Sequence, residues 1–214
     1  MIIEFPPVER ADKVSGLLAY GGDLEVASLE LAYRSGIFPW PSDEAEPILW
    51  FAPAPRAILD FSKLHVPKRL ARKLRQGVFT CGINHDFEQV IRFCADVGNR
   101  KSQSGTWITP EMVAAYIEFH KAGFAQSFET YNSEGNLVGG MYGVRIGKYF
   151  AGESMFYRET DASKAALVFA VSHLSEKGVT WMDIQMLTPL LASFGAEEIP
   201  RKQFMTRLQR SLSA

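Results

Sequence analysis

Asp183 and Gln185 stand two residues apart in an apolar stretch, Trp181-Met182-Asp183-Ile184-Gln185-Met186-Leu187. Read as a strand, Trp181, Asp183, Gln185 and Leu187 share one side, and Met182, Ile184 and Met186 share the other. The second side is uniformly apolar and reads as core. The first is harder to place. A buried face avoids an unpaired charge, and a solvated face more commonly carries Lys, Thr or Ser. Another carboxylate, Glu153, stands at the end of a second strand in Gly152-Glu153-Ser154-Met155-Phe156. Ligand crevices in open α/β sheets lie beyond the carboxyl ends of strands, so Glu153 and Asp183 are expected to face one cleft. Either acid alone is readily a structural hydrogen-bonding group; two acids and a Gln on adjacent strand ends point to a site. Met141, Phe150, Met155 and Phe156 fall close by. Each is explained by core packing, yet thioethers and rings together also suit a pocket for a bulky apolar group. An apolar pocket beside a carboxylate takes one hydrophobic and one cationic group.

Several elements must position these residues. Residues 1–60 are rich in Pro and aromatics (FPP, GIFPW, PILWFAPAPR), which favours turns and extended segments. One helix fits at about 25–35, stopped by Gly36. Further helices are predicted at 67–76, opened by Pro67, and at about 86–96. A third begins with Thr109 as N-cap and Pro110 in the first turn, closing at Gly123. Strands at 124–131 and 137–146 are joined by the turn NSEG, and Gly147 leads into a third strand at 148–153. A helix from Asp161 or Ser163 to about 177 precedes the strand of Asp183. A short helix opens at Thr188-Pro189, and a last one at Pro200. Gly139-Gly140 and Gly152 allow a bulge or a close backbone approach. The order predicts an α+β protein with a mixed sheet of N-acetyltransferase type. A small unit at 1–61 precedes the catalytic domain at 62–214.

The 214 residues carry a net charge of −1, but the charge is uneven. Residues 1–60 hold four Lys or Arg against ten Asp or Glu, and the remainder has a basic excess. Lys63, Lys68, Arg69, Arg72, Lys73 and Arg75 form a run with no acid from 61 to 85. Two readings fit this run, a solvated helix face or a contact to a phosphate backbone. There is no long apolar run and no signal-peptide pattern, with acids at positions 4 and 9. Cys81 and Cys94 read as reduced thiols, and the four His are scattered. A cytoplasmic monomer with no membrane span, metal or cofactor is expected.

Three N-terminal stretches are distinctive: Gly16 to Leu24 (GLLAYGGDL), Ala32 to Trp40 (AYRSGIFPW) and Pro47 to Trp50. With Gly105 to Thr109 (GTWIT), Leu137 to Gly143 (LVGGMYG), Gly152 to Phe156 (GESMF), Ala162-Ser163-Lys164 and Ile199-Pro200-Arg201, they resemble the leucyl/phenylalanyl-tRNA–protein transferase family, in order over nearly the whole chain. The resemblance implies an enzyme that moves Leu, also Phe and less well Met, from aminoacyl-tRNA to proteins with N-terminal Arg or Lys. The product would be a degradation signal of the bacterial N-end rule, made without metal or coenzyme A.

The same resemblance assigns Asp183 and Gln185 to the family's Asp-x-Gln and Glu153 to its acidic partner. Met141, Phe150 and Met155 match the side-chain pocket, and Trp40, Tyr33, Trp107 and Tyr116 match aromatics around the aminoacyl-adenosine end. Lys68, Arg69, Arg72, Lys73 and Arg75 are the expected tRNA contacts. The chain departs from the pattern at Trp50-Phe51-Ala52-Pro53 (usually Trp-Trp-Ser-Pro), at Ile184 (usually Cys) and at Leu190 (usually His). Two rivals are a coenzyme A-dependent acetyltransferase and a non-catalytic reader of basic N-termini. The first wants a Gly-rich phosphate loop, and residues 157–164 (YRETDASK) hold no glycine.

Overall fold

The computed structural model describes residues 1–40, 47–96 and 108–213. Near the N-terminus, β1 (Leu17–Tyr20), β2 (Phe38–Pro39) and β3 (Leu49–Phe51) form a small antiparallel sheet in the order β1-β3-β2. α1 (Val26–Arg34) lies between β1 and β2 in sequence and ends before Gly36. β4 (Arg56–Asp60) belongs instead to a second, larger sheet. There follow α2 (Lys68–Arg75), β5 (Thr80–Ile83), α3 (Phe87–Ala95) and α4 (Pro110–Lys121). The meander β6 (Ala125–Tyr131), β7 (Leu137–Ile146) and β8 (Tyr149–Tyr157) leads to α5 (Ala162–Glu176) and β9 (Trp181–Gln185). α6 (Pro189–Ser193), β10 (Glu197–Ile199) and α7 (Arg201–Leu212) complete the chain.

The larger sheet has seven strands, ordered β10-β4-β9-β8-β7-β6-β5. Each neighbouring pair is antiparallel except β8 and β9, which are parallel. This is the mixed, helix-covered sheet that the sequence predicts. The start signals hold: the Thr109 hydroxyl accepts from the Met112 backbone N–H at 3.2 Å and Thr188 accepts from Leu191 at 3.2 Å, each with Pro in the first turn. β4, β5 and β10 are strands that the periodicity does not reveal. β8 is also longer than predicted, so Glu153 lies in its middle rather than at its end.

Successive strand residues face opposite sides of the sheet. Met141 therefore joins an apolar cluster with Phe128, Phe150, Leu167 and Met182, whereas Tyr142 joins one with Tyr33, Trp50, Tyr116 and Trp181. α5 and the apolar side of α2 cover the first face; α3, α4 and the small sheet's core cover the second. Gly139 of β7 makes the first packing possible. A Cβ there would lie 2.5 Å from Ala162 Cβ, so only glycine lets α5 begin this close to the sheet.

Candidate active site

β8 and β9 pair at Ala151 and Asp183 and then part company. Beyond that point Met155 pairs with Met141 of β7, while Gln185 pairs with Ala57 of β4. The gap between the strands opens a cavity of about 460 Å³. Met141, Met155, Leu167, Met182 and Ile184 form apolar walls, Leu190 and Leu191 close one side, and Phe38, Pro39 and Trp40 of the small sheet's region close another. Gly152 leaves room for these methionines, since a Cβ there would lie 2.9 Å from Met182 Sδ. The volume is in the range of small-molecule sites.

The cavity's polar features include Glu153 and Gln185. Gln185 Nε2 donates to Glu153 Oε1 at 3.1 Å. The Tyr33 hydroxyl hydrogen-bonds to Glu153 and to the Tyr116 hydroxyl, both rings being buried. Burial pushes the Glu153 carboxyl up to about 8; its hydrogen bond from Tyr33 opposes that rise, and the nearby Asp183 charge adds to it. Burial and the charge of Glu153 likewise hold both tyrosines well above their ordinary range.

Asp183 does not face this cleft. It is fully buried beneath Gln185, so the expectation that both acids line one opening is corrected. Its charge is answered by Arg56, whose Nε donates to Oδ1 at 2.9 Å and whose Nη2 donates to Oδ2 at 2.8 Å. The Tyr149 hydroxyl adds a bond to Oδ2 at 2.7 Å. A carboxylate paired twice with a guanidinium has no net charge left to offer a second cation. The face of β9 that carries Trp181, Asp183 and Gln185 is buried, and its acid is paired by a residue more than a hundred positions away.

Trp40, Met141 and Met155 line the cavity. Phe150 lies outside its walls, sealed against Phe128 with ring centroids 6.0 Å apart. Tyr33 and Tyr116 lie under Glu153 rather than on an open surface. Trp107 lies outside the described residues. Met186 is 45% exposed at the rim, not core. Lys68, Arg69, Arg72 and Arg75 border a shallow basic hollow of about 530 Å³ on α2. Lys73 turns elsewhere: its Nζ donates to the Thr160 carbonyl at 2.7 Å and lies 3.6 Å from Asp161. Arg56 and Tyr149, which hold Asp183, and Met182 and Leu167, which line the cavity, are not singled out by the sequence pattern. The signal for Arg56 was the need of a buried Asp for a cation, together with the apolar run Ala57-Ile58-Leu59 that marks a strand. Among the described residues no group of three or more His, Cys, Asp or Glu is arranged to hold a metal ion.

Comparison with known proteins finds matches along nearly the whole chain. Residues 58–209 match the family model described as leucyl/phenylalanyl-tRNA protein transferase, and residues 22–54 match that of its N-terminal domain. The leucyl/phenylalanyl-tRNA–protein transferase of Magnetococcus marinus is 48% identical over 98% of this chain and 88% of its own. The protein of that name from Anaeromyxobacter sp. (strain K) is 51% identical over 97% of this chain and 88% of its own. Among solved structures, L-PGS from Bacillus licheniformis shows a TM-score of 0.43 at 15% identity, covering 77% of this chain and 51% of that one.

Proposed function

The chain belongs to the leucyl/phenylalanyl-tRNA protein transferase family, and from that premise we propose that it transfers Leu, also Phe and less well Met, to proteins whose N-terminal residue is Arg or Lys. It is an aminoacyltransferase working from aminoacyl-tRNA; the choice of acceptor and the role in N-end rule degradation in the cytoplasm are the proposal. The observation that carries it is the pairing of Glu153 with Gln185 at the polar end of an apolar cavity.

In this reading Met141, Met155, Met182 and Leu167 receive the donor's side chain, and a charged side chain there would be left unpaired. Glu153 receives the cationic side chain of the acceptor, whose positive charge favours the ionised carboxylate. The acceptor α-amine, with an ordinary pKa of about 7.7–8.0, is roughly a tenth to a sixth unprotonated at pH 7. It attacks the ester carbonyl carbon, the C–N bond forms, and the ester C–O bond breaks with the electron pair leaving on the ribose oxygen. One amine proton is lost as that oxygen gains one. Gln185 is not a base; its amide oxygen holds the attacking N–H while its Nε2 rests on Glu153. Most of the acceleration then comes from positioning and from stabilising the oxyanion. Trp40 borders the adenosine end of the donor. The hollow on α2 holds the acceptor stem through phosphates, which position without reading sequence.

The test mixes purified protein and Leu-tRNA with peptides beginning with Arg, Lys, Asp, Glu or Ala and weighs the products. Arg and Lys peptides gain one leucyl residue and the others do not. Leucylation of acidic starts, or no consumption of charged tRNA, would overturn the proposal; the second result would leave a non-catalytic reader of basic N-termini.

A further inference from the structure

Asp183 does not itself line the cavity, yet four hydrogen bonds converge on its carboxylate just beneath it. Arg56 grips both oxygens, Tyr149 holds Oδ2, and Oδ1 accepts the Gln185 backbone N–H at 3.0 Å. That last bond is the link to the site. Gln185 has a φ of +57°, a left-handed conformation that is strained for a residue with a Cβ. Such a conformation persists where its surroundings over-determine it. The bond from its N–H to Asp183 is part of that constraint, and Gln185 projects from this turn to meet Glu153.

Arg56 is itself clamped. Its guanidinium carbon lies 4.7 Å from the Phe38 ring centroid and 4.6 Å from that of Phe204. A plane held between two rings, with two parallel N–H···O bonds, fixes the rotation of the carboxylate it grips. An ammonium would pair the charge without fixing that rotation. Phe38 also lines the cavity and Phe204 comes from α7, so the small sheet and the last helix meet the large sheet at this residue.

We infer that Arg56 is a positioning residue for aminoacyl transfer: by orienting Asp183 it holds Gln185 in its left-handed turn and aims the carboxamide at the reacting groups. This rests on the proposed roles of Gln185 and Glu153. The experiment measures transfer from Leu-tRNA to an Arg-starting peptide for Arg56→Lys and Tyr149→Phe, each alone and combined with Gln185→Ala, with thermal unfolding recorded alongside. Each single variant is expected to lower kcat tenfold or more while KM for both substrates stays within twofold. In the Gln185→Ala background the same changes alter the rate less than twofold. A rise in KM at constant kcat, an undiminished kcat, or an equal tenfold loss in both backgrounds overturns the inference. If Arg56→Lys does not fold, Tyr149→Phe, which removes one hydroxyl, decides by the same criteria. Absence of transfer by the unsubstituted protein overturns the reaction itself, and the role of Arg56 with it.

Discussion

Glu153 is the ionisable acid that lines the cavity, because Asp183 is sealed below it and paired with Arg56. This has a consequence for stability. Burial raises the Glu153 carboxyl from an ordinary 4.5 to about 8. Between those values the unfolded chain has released the proton and the folded one retains it, so folding takes up a proton and stability falls as pH rises. Denaturant titrations at pH 5 and pH 8 are expected to show a smaller drop for Glu153→Gln, whose side chain does not ionise. An equal drop in both proteins would place the titration elsewhere. At this scale Asp183, Gln185 and Glu153 were legible, because polar groups in an apolar strand need a reason. Their division of labour was not. Which acid is sealed and which is open depends on Arg56 and Tyr149, and no local pattern connects residue 56 or 149 to residue 183.

Among the elements, α2 is the one whose charged face has a proposed partner. Lys73 is tied to the start of α5, so the available phosphate contacts are Lys68, Arg69, Arg72 and Arg75. Arg69→Glu combined with Arg72→Glu should weaken use of whole Leu-tRNA and spare a short aminoacyl-adenosine donor. The slope of log affinity against log salt should become shallower by about 1.5–2 if two phosphate contacts are lost. Equal losses with both donors would rule out this surface. Gly139→Ala probes the seat of α5: its new Cβ collides with Ala162, and overpacking of this kind costs about 1–3 kcal/mol in denaturant unfolding. An unchanged midpoint would show that α5 shifts at no cost. Helices announced by a cap and a Pro, such as α4 and α6, were legible in full. β4, β5 and β10 were not, since strands of three to five residues take their identity from distant partners.

At the scale of the whole molecule, the α+β plan followed from the order of helices and strands, but the cavity did not. It forms where β8 and β9 part and where Phe38 and Trp40 arrive from the small sheet's side, so no continuous stretch encodes it. Its apolar walls suit the donor and its acid suits the acceptor, and the two must lie together for one peptide bond to form. A competition assay tests that juxtaposition most directly. Leu-tRNA is offered to an equimolar mixture of two peptides that differ only in an N-terminal Arg or Ala, with the unsubstituted protein and with Glu153→Gln. The unsubstituted protein is expected to favour the Arg peptide strongly, and Glu153→Gln to lose that preference by tenfold or more while still consuming Leu-tRNA. An unchanged preference in Glu153→Gln would contradict the assignment of the cationic recess to this residue.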